Sequence, residues 1–172
     1  MMKVTDIPLN EYNPYFKPYI DKVGDSSLLK SLKKGRKETI KFFKKIPSSK
    51  LEYKYEDGKW TPKDILLHLI DAERAFSYRA LQFARSNDAD LEGFDENEFA
   101  DNSNANLRSR KNLLKEYKAV RNASIVMFKS FSDETLLQMG KASESELSVR
   151  AAGFLICGHE IHHKQIINER YL

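Results

Sequence analysis

Apolar positions recur at helical spacing in four separate stretches of this chain. The first runs through Leu28, Leu32, Thr39, Phe43 and Ile46 and stops at Pro47-Ser48-Ser49. The second has the clearest start. Thr61 is a good N-cap, Pro62 occupies the first position, where a missing N–H costs nothing, and Asp64 completes a capping box. Its inward stripe reads Ile65, His68/Leu69, Ala72, Phe76, Arg79 and Phe83, and Ser86-Asn87-Asp88 closes it. A third stripe passes through Leu107, Leu114, Tyr117, Arg121, Ser124, Phe128 and Phe131. The fourth follows a cap at Ser148 and passes through Ala152, Ile156, His159, His163 and Ile166. Four such helices predict an all-α, up-down four-helix bundle, with sites built from facing side chains in its core.

The alternating pattern of strands is missing, apart from a brief pairing allowed to Tyr53-Lys54-Tyr55 and limited by Gly58. Neither a repeat nor a linker divides the chain, so residues 1–172 are expected to form a single domain. The connection 87–106 is long for a turn between helices, and long ordered loops are often functional. Phe94 and Phe99 are its expected anchors, and a lid, a partner surface or plain packing are the roles open to it.

Composition narrows the class. Hydrophobic residues make up 41% of the 172 and aromatics 11%, which suits a folded domain. The longest apolar run, from Ala151 to Cys157, is far short of a membrane span. Met1-Met2-Lys3-Val4-Thr5-Asp6 has no apolar signal core, so a cytoplasmic location is expected. The lone Cys157 excludes an internal disulfide and a thiolate zinc cluster, and it points away from His159, as a small core residue would. Lys30, Lys33, Lys34, Arg36, Lys37, Lys41, Lys44 and Lys45 carry much of a net charge of +4. Without interleaved aromatics they read as a solvated face. The acidic run from Asp88 to Asp101 argues further against nucleic acid as a partner.

Histidines carry the chemistry. His159 and His163 are four residues apart, on one face of one helix, and His68 lies on the inward stripe of another. Burying three imidazoles without a shared partner would strand polar atoms. A divalent metal removes that cost, and three imidazoles leave it an open position, as at catalytic sites. His162 turns about 100° from His163 and is expected not to be a ligand. Glu160 completes the zincin pattern His-Glu-x-x-His. A zincin, however, needs an edge strand over the motif and a further ligand downstream, and only nine residues follow His163. Glu160 is the general-base candidate nearest in sequence, although the helix turns it partly away. Asp71 and Glu73 follow His68; Asp71 could accept an imidazole proton, while the plainer reading makes both a solvent-facing pair balancing Arg74.

Together these pieces resemble the DinB-like (YfiT-like) family of metalloenzymes. Trp60-Thr61-Pro62-Lys63-Asp64-Ile65-Leu66-Leu67-His68-Leu69-Ile70-Asp71-Ala72-Glu73 is similar to its second-helix motif, Phe94 to Ala100 to the loop after it, and Ala152 to Ile166 to its last helix. The resemblance implies an up-down bundle with a left-handed connection pattern, commonly a homodimer. It also implies a divalent metal, often nickel or zinc, on His68, His159 and His163. Some relatives are transferases or hydrolases that use a low-molecular-weight thiol, so a small-molecule substrate is expected. A metal-dependent S-transferase or hydrolase is the leading reading; a stress-related dimeric binding or scaffold protein with a structural or vestigial metal is the alternative.

Overall fold

The computed structural model describes residues 3–172; Met1 and Met2, at the head of the stretch examined for a signal, lie outside them. The α-helices are α1 (Lys17–Ile20), α2 (Leu28–Lys45), α3 (Pro62–Phe83), α4 (Glu96–Asn102), α5 (Arg110–Ser130), α6 (Asp133–Leu136) and α7 (Val149–Arg170). Strands β1 (Asp90–Leu91), β2 (Met139–Ala142) and β3 (Ser145–Ser148) make one small sheet in the order β1-β2-β3.

The bundle consists of α2, α3, α5 and α7, and its starts are set by side chains. Thr61 and Asp64 close the predicted capping box at α3, and the Ser148 hydroxyl accepts from the Ala151 amide at α7. At α5 the cap is Ser109, which accepts from Asn112, so the helix begins at Arg110. Leu107, expected on the third stripe, therefore falls in the 3-10 turn before the cap and is 85% exposed. The lysines of α2 face solvent, as a charged face should.

Contacts along the helices fix their directions. α2 runs beside α7 in the same sense, Leu28 meeting Gly153 and Gly35 meeting Glu160. α3 runs against α7, with Trp60 at Tyr171 and His68 at His159. It runs with α5, with Lys63 at Asn106 and Ser77 at Ser124. The all-α four-helix bundle is thus the predicted one, while its order of directions is up, down, down, up in place of the expected up-down alternation, because α3 and α5 pack in parallel. Parallel neighbours cannot be joined by a tight turn, which is why the connection between α3 and α5 is long. It runs back along α3, from Phe94 beside Arg79 to Asn106 beside Thr61, carries α4, and lends β1 to the sheet.

Strands β2 and β3 form a hairpin that the sequence pattern does not show. Ala142 pairs with Ser145 across a two-residue turn, and Ser143 and Glu144 both have positive φ, 51° and 60°. That is the type I′ arrangement, here without the Asn-Gly that announces it. The pairing allowed to Tyr53–Tyr55 does not form; instead both tyrosine rings meet Tyr171 edge-on.

Two apolar cores fill the bundle. One gathers Leu32, Phe76, Phe128 and Phe154, the other Phe43, Leu66, Leu113 and Ile167. Between them lies a buried polar layer. Arg121, 1% exposed, donates to Glu73 at 2.7 Å and to Glu160 at 3.0 and 3.2 Å. Tyr117 and Thr39 also donate to Glu160, at 2.6 and 3.1 Å. A buried guanidinium is tolerable only with such partners.

Candidate metal centre

The histidine cluster lies on the seam between α3 and α7, at the level of the polar layer but on its outer side. His68 and His159 meet because α3 and α7 are antiparallel neighbours, and His163 follows one turn along α7. The Nε2 of His159 is 3.0 Å from that of His68 and 2.9 Å from that of His163. All three nitrogens fall within 4.8 Å of one another. The sequence-predicted trio is therefore brought together by the fold.

Three imidazoles that aim the same nitrogen at one point cannot satisfy each other. Each neutral Nε2 is either one donor or one acceptor, and one lone pair cannot take two N–H groups at full strength. A single divalent cation accepts all three lone pairs, and nitrogens about 3 Å apart suit bonds of about 2.0–2.1 Å. The donor set thus fits a metal. Burial keeps the imidazoles in the neutral, ligating form. It pushes His68 down to about 4, and His163 down to about 3 with help from His68 and His162. His159 is held well below the ordinary value, by burial first and by its three histidine neighbours next.

Surrounding residues fix the cluster from several elements. The Trp60 ring lies 4.6 Å from His68 and stacks at 6.4 Å on His163. Trp60 is itself held by the Tyr171 hydroxyl, which donates to its carbonyl at 2.6 Å. From the other side Tyr19 sets its ring edge-on to His159 and to His162, at 5.7 and 5.0 Å. Tyr19 comes this close because Gly158 has no side chain: a Cβ there would overlap the Tyr19 carbonyl. Burial, a hydrogen bond to Tyr15 and the nearby Glu96 push the Tyr19 hydroxyl up to about 12, so it stays protonated. His162 borders the same space without joining the trio, as its position on the helix predicts.

The cluster opens into a cavity of about 280 Å³. Ala72, Phe76, Leu155 and Phe94 form its apolar walls, with Arg79 and Ser143 also among its lining residues. Of the two expected loop anchors, Phe94 lines the cavity and brings the long segment to the site, while Phe99 packs on it at 4.9 Å from a more exposed position. Sequence reasoning did not assign roles to Trp60, Tyr19 or Arg79. Arg79 gave a signal, a charged residue on an inward stripe; Tyr19 gave none, because the segment before residue 28 has no long periodic stripe.

Two carboxylate expectations need correction. Glu160 is not brought to the histidines: it is 1% exposed and turned into the polar layer, toward Arg121, Tyr117 and Thr39. One residue of helix separates its direction from His159 by about 100°. Glu73 is not a solvent-facing partner of Arg74 but a buried acceptor for Arg121. Asp71 does pair with Arg74, at 3.1 Å, and faces a neighbouring groove.

Comparison with known proteins agrees with this arrangement. The sequence pattern of the DinB superfamily matches residues 31–167. Among curated proteins, none matches this chain. YfiT from Bacillus subtilis, described as a probable metal-dependent hydrolase with an unusual four-helix bundle topology, superposes with a TM-score of 0.73. The identity is 16%, over 83% of this chain and 82% of that one. YjoA, a DinB-like protein also from Bacillus subtilis, gives a TM-score of 0.60 at 15% identity, over 84% and 88%. A mycothiol-dependent maleylpyruvate isomerase gives 0.68 at 11% identity; the match takes in 96% of this chain but 62% of that longer one. At such identities the likeness shows the fold alone. With the superfamily pattern covering most of its length, the chain belongs to the DinB superfamily.

Proposed function

We propose that this protein is a divalent-metal-dependent enzyme acting on a small molecule, with His68, His159 and His163 as the ligands. The observation that carries the reading is the convergence of three neutral imidazole nitrogens on a largely apolar cavity. When bound, the ion supplies Lewis acidity, with which a water or a small thiol becomes a nucleophile near neutral pH. The protein's own residues do the rest. Trp60 and Tyr19 hold the imidazole planes, while Phe76, Phe94 and Leu155 exclude bulk water. Glu160 serves the fold by anchoring Arg121 and is not the base.

YfiT is described as a hydrolase and the isomerase as mycothiol-dependent, which supports water or a low-molecular-weight thiol as the attacking group. Nickel or zinc is the ion we propose, in a cytoplasmic homodimer. A purely structural or vestigial metal in a scaffold protein fits less well, because a saturated site has no use for a cavity leading to it.

The test loads metal-stripped protein with zinc or nickel and offers a small thiol with a chlorinated dinitrobenzene, alongside an activated ester. In the first reaction a C–S bond forms, chloride leaves and the thiol proton passes to solvent. Loaded protein should turn over one of the two at least about 100-fold faster than stripped protein or His163→Ala. Equal, slow rates for all forms with both reagents would contradict the proposal.

A further inference from the structure

Among the described residues, four cationic side chains are buried: Lys63, Arg79, Arg121 and Arg150. Three have carboxylate partners. Lys63 pairs with Glu52, Arg121 with Glu73 and Glu160, and Arg150 with Glu11. Arg79, 7% exposed, has none. Its Nη2 donates to the Ser143 hydroxyl at 3.0 Å, and its guanidinium lies against the rings of Phe76 and Phe94, at 5.5 and 5.9 Å. A buried charge with only a hydroxyl and two ring faces is under-compensated. Burial alone pulls its pKa down, with no anion to oppose it.

This guanidinium borders the histidine cavity. His68, Ala72, Phe76 and Arg79 follow one another along a single face of α3, at spacings of four, four and three. The histidine and the arginine are therefore about 16 Å apart along the helix axis, before the arginine leans back toward the helix N-terminus. Between them the wall is apolar. Glu96, the acidic group on the cavity, bears on Tyr19 and makes no ion pair with Arg79. Ser143, which takes one arm of the guanidinium, is held at φ 51°, so the turn fixes the clamp at the cost of a strained backbone.

We propose that Arg79 is the specificity residue of this cavity, binding the carboxylate of an elongated substrate whose reacting end lies at the three histidines. The inference rests on the cavity being the substrate site and extends that reading to a substrate class: small carboxylates with an apolar stem. A planar carboxylate matches the donors Arg79 has to spare, and one guanidinium with no second lysine or arginine among the residues lining the cavity suits a monoanion better than a phosphate dianion.

The test uses Trp60, the one tryptophan of the chain, as a fluorescent reporter beside the cluster, with calorimetry as a second readout. Hexanoate, its neutral analogue hexanamide and hexyl phosphate are titrated into metal-stripped and zinc-loaded protein. Hexanoate should bind both forms at least about ten-fold tighter than hexanamide. Arg79→Gln should abolish that difference while leaving hexanamide within about two-fold, and Arg79→Lys should restore part of it. Equal affinity for acid and amide in the parent, which needs no variant, would overturn the proposal. So would hexanoate binding confined to zinc-loaded protein and indifferent to Arg79→Gln. Tighter binding of hexyl phosphate would overturn the carboxylate assignment in favour of a phosphate. A parent protein that takes up no metal would remove the enzymatic reading and leave the Arg79 result standing on its own.

Discussion

Glu160 and Gly35 show how single residues keep the polar layer apart from the histidine cluster. A Cβ at position 35 would land on the Glu160 carboxylate and crowd Arg121, so glycine there is what lets α2 close over the ion pairs. Replacing Glu160 by Gln leaves the buried Arg121 with one carboxylate, that of Glu73. We expect a loss of about 3 kcal/mol in denaturant unfolding, with metal stoichiometry unchanged. A variant that is fully stable but has lost turnover would return Glu160 to the role of base. Cys157, three residues before it on α7, is 1% exposed, and burial pushes its thiol far up. Since only the thiolate reacts, the native protein should resist iodoacetamide at pH 8 for hours and react within minutes in guanidinium. Rapid native alkylation would show that α7 opens at this point.

At the scale of elements, what could be read from the chain and what could not divide along physical lines. The helices were legible because each buries a stripe and begins at a side-chain cap. Thr61-Asp64 and Ser148 stand where the pattern places them. The histidine cluster was legible because i, i+4 spacing fixes His159 and His163 whatever surrounds them. The partner of Arg121 was not, because Glu73 and Asp71 are two residues apart on α3 and only packing decides which one turns inward. Nor was the hairpin legible, since Ser143 and Glu144 adopt a left-handed turn that their types disfavour. Among the described residues the Glu144 side chain has no hydrogen bond or ion pair to lose, and Glu144→Gly should stabilise the protein by about 0.5–1 kcal/mol. A fall in thermal midpoint would mean that the carboxylate, and not the turn, matters there. The role of Arg79 belongs to the same scale: its stripe position was legible, while its lack of a carboxylate could emerge only from the packed structure.

Across the whole molecule, the order up, down, down, up puts the site where it is. Because α3 and α5 are parallel, a long segment must return along the bundle, and it brings Phe94 to the wall of the cavity that the histidines open into. The same arrangement leaves the α3–α7 seam to be covered by the segment before α2, where Tyr19 packs on Gly158 and the imidazoles. A metal held by His68 on α3 and by His159 and His163 on α7, as we propose, would tie these two antiparallel helices together, so its removal should loosen the whole bundle. Zinc or nickel at about 100 times its dissociation constant should add about 2.7 kcal/mol to stability, seen as a higher thermal midpoint that chelation reverses. No helix among the described residues is long and apolar enough to cross a membrane.

The central claim is that His68 on α3 and His159 and His163 on α7 form one site. Its most direct test is the metal content of the untagged protein, by plasma mass spectrometry, beside His68→Ala. Close to one divalent ion per chain in the parent, and its loss in the variant, is the predicted result. A variant that keeps its metal, or a parent that takes up none after reconstitution with zinc or nickel, would contradict it.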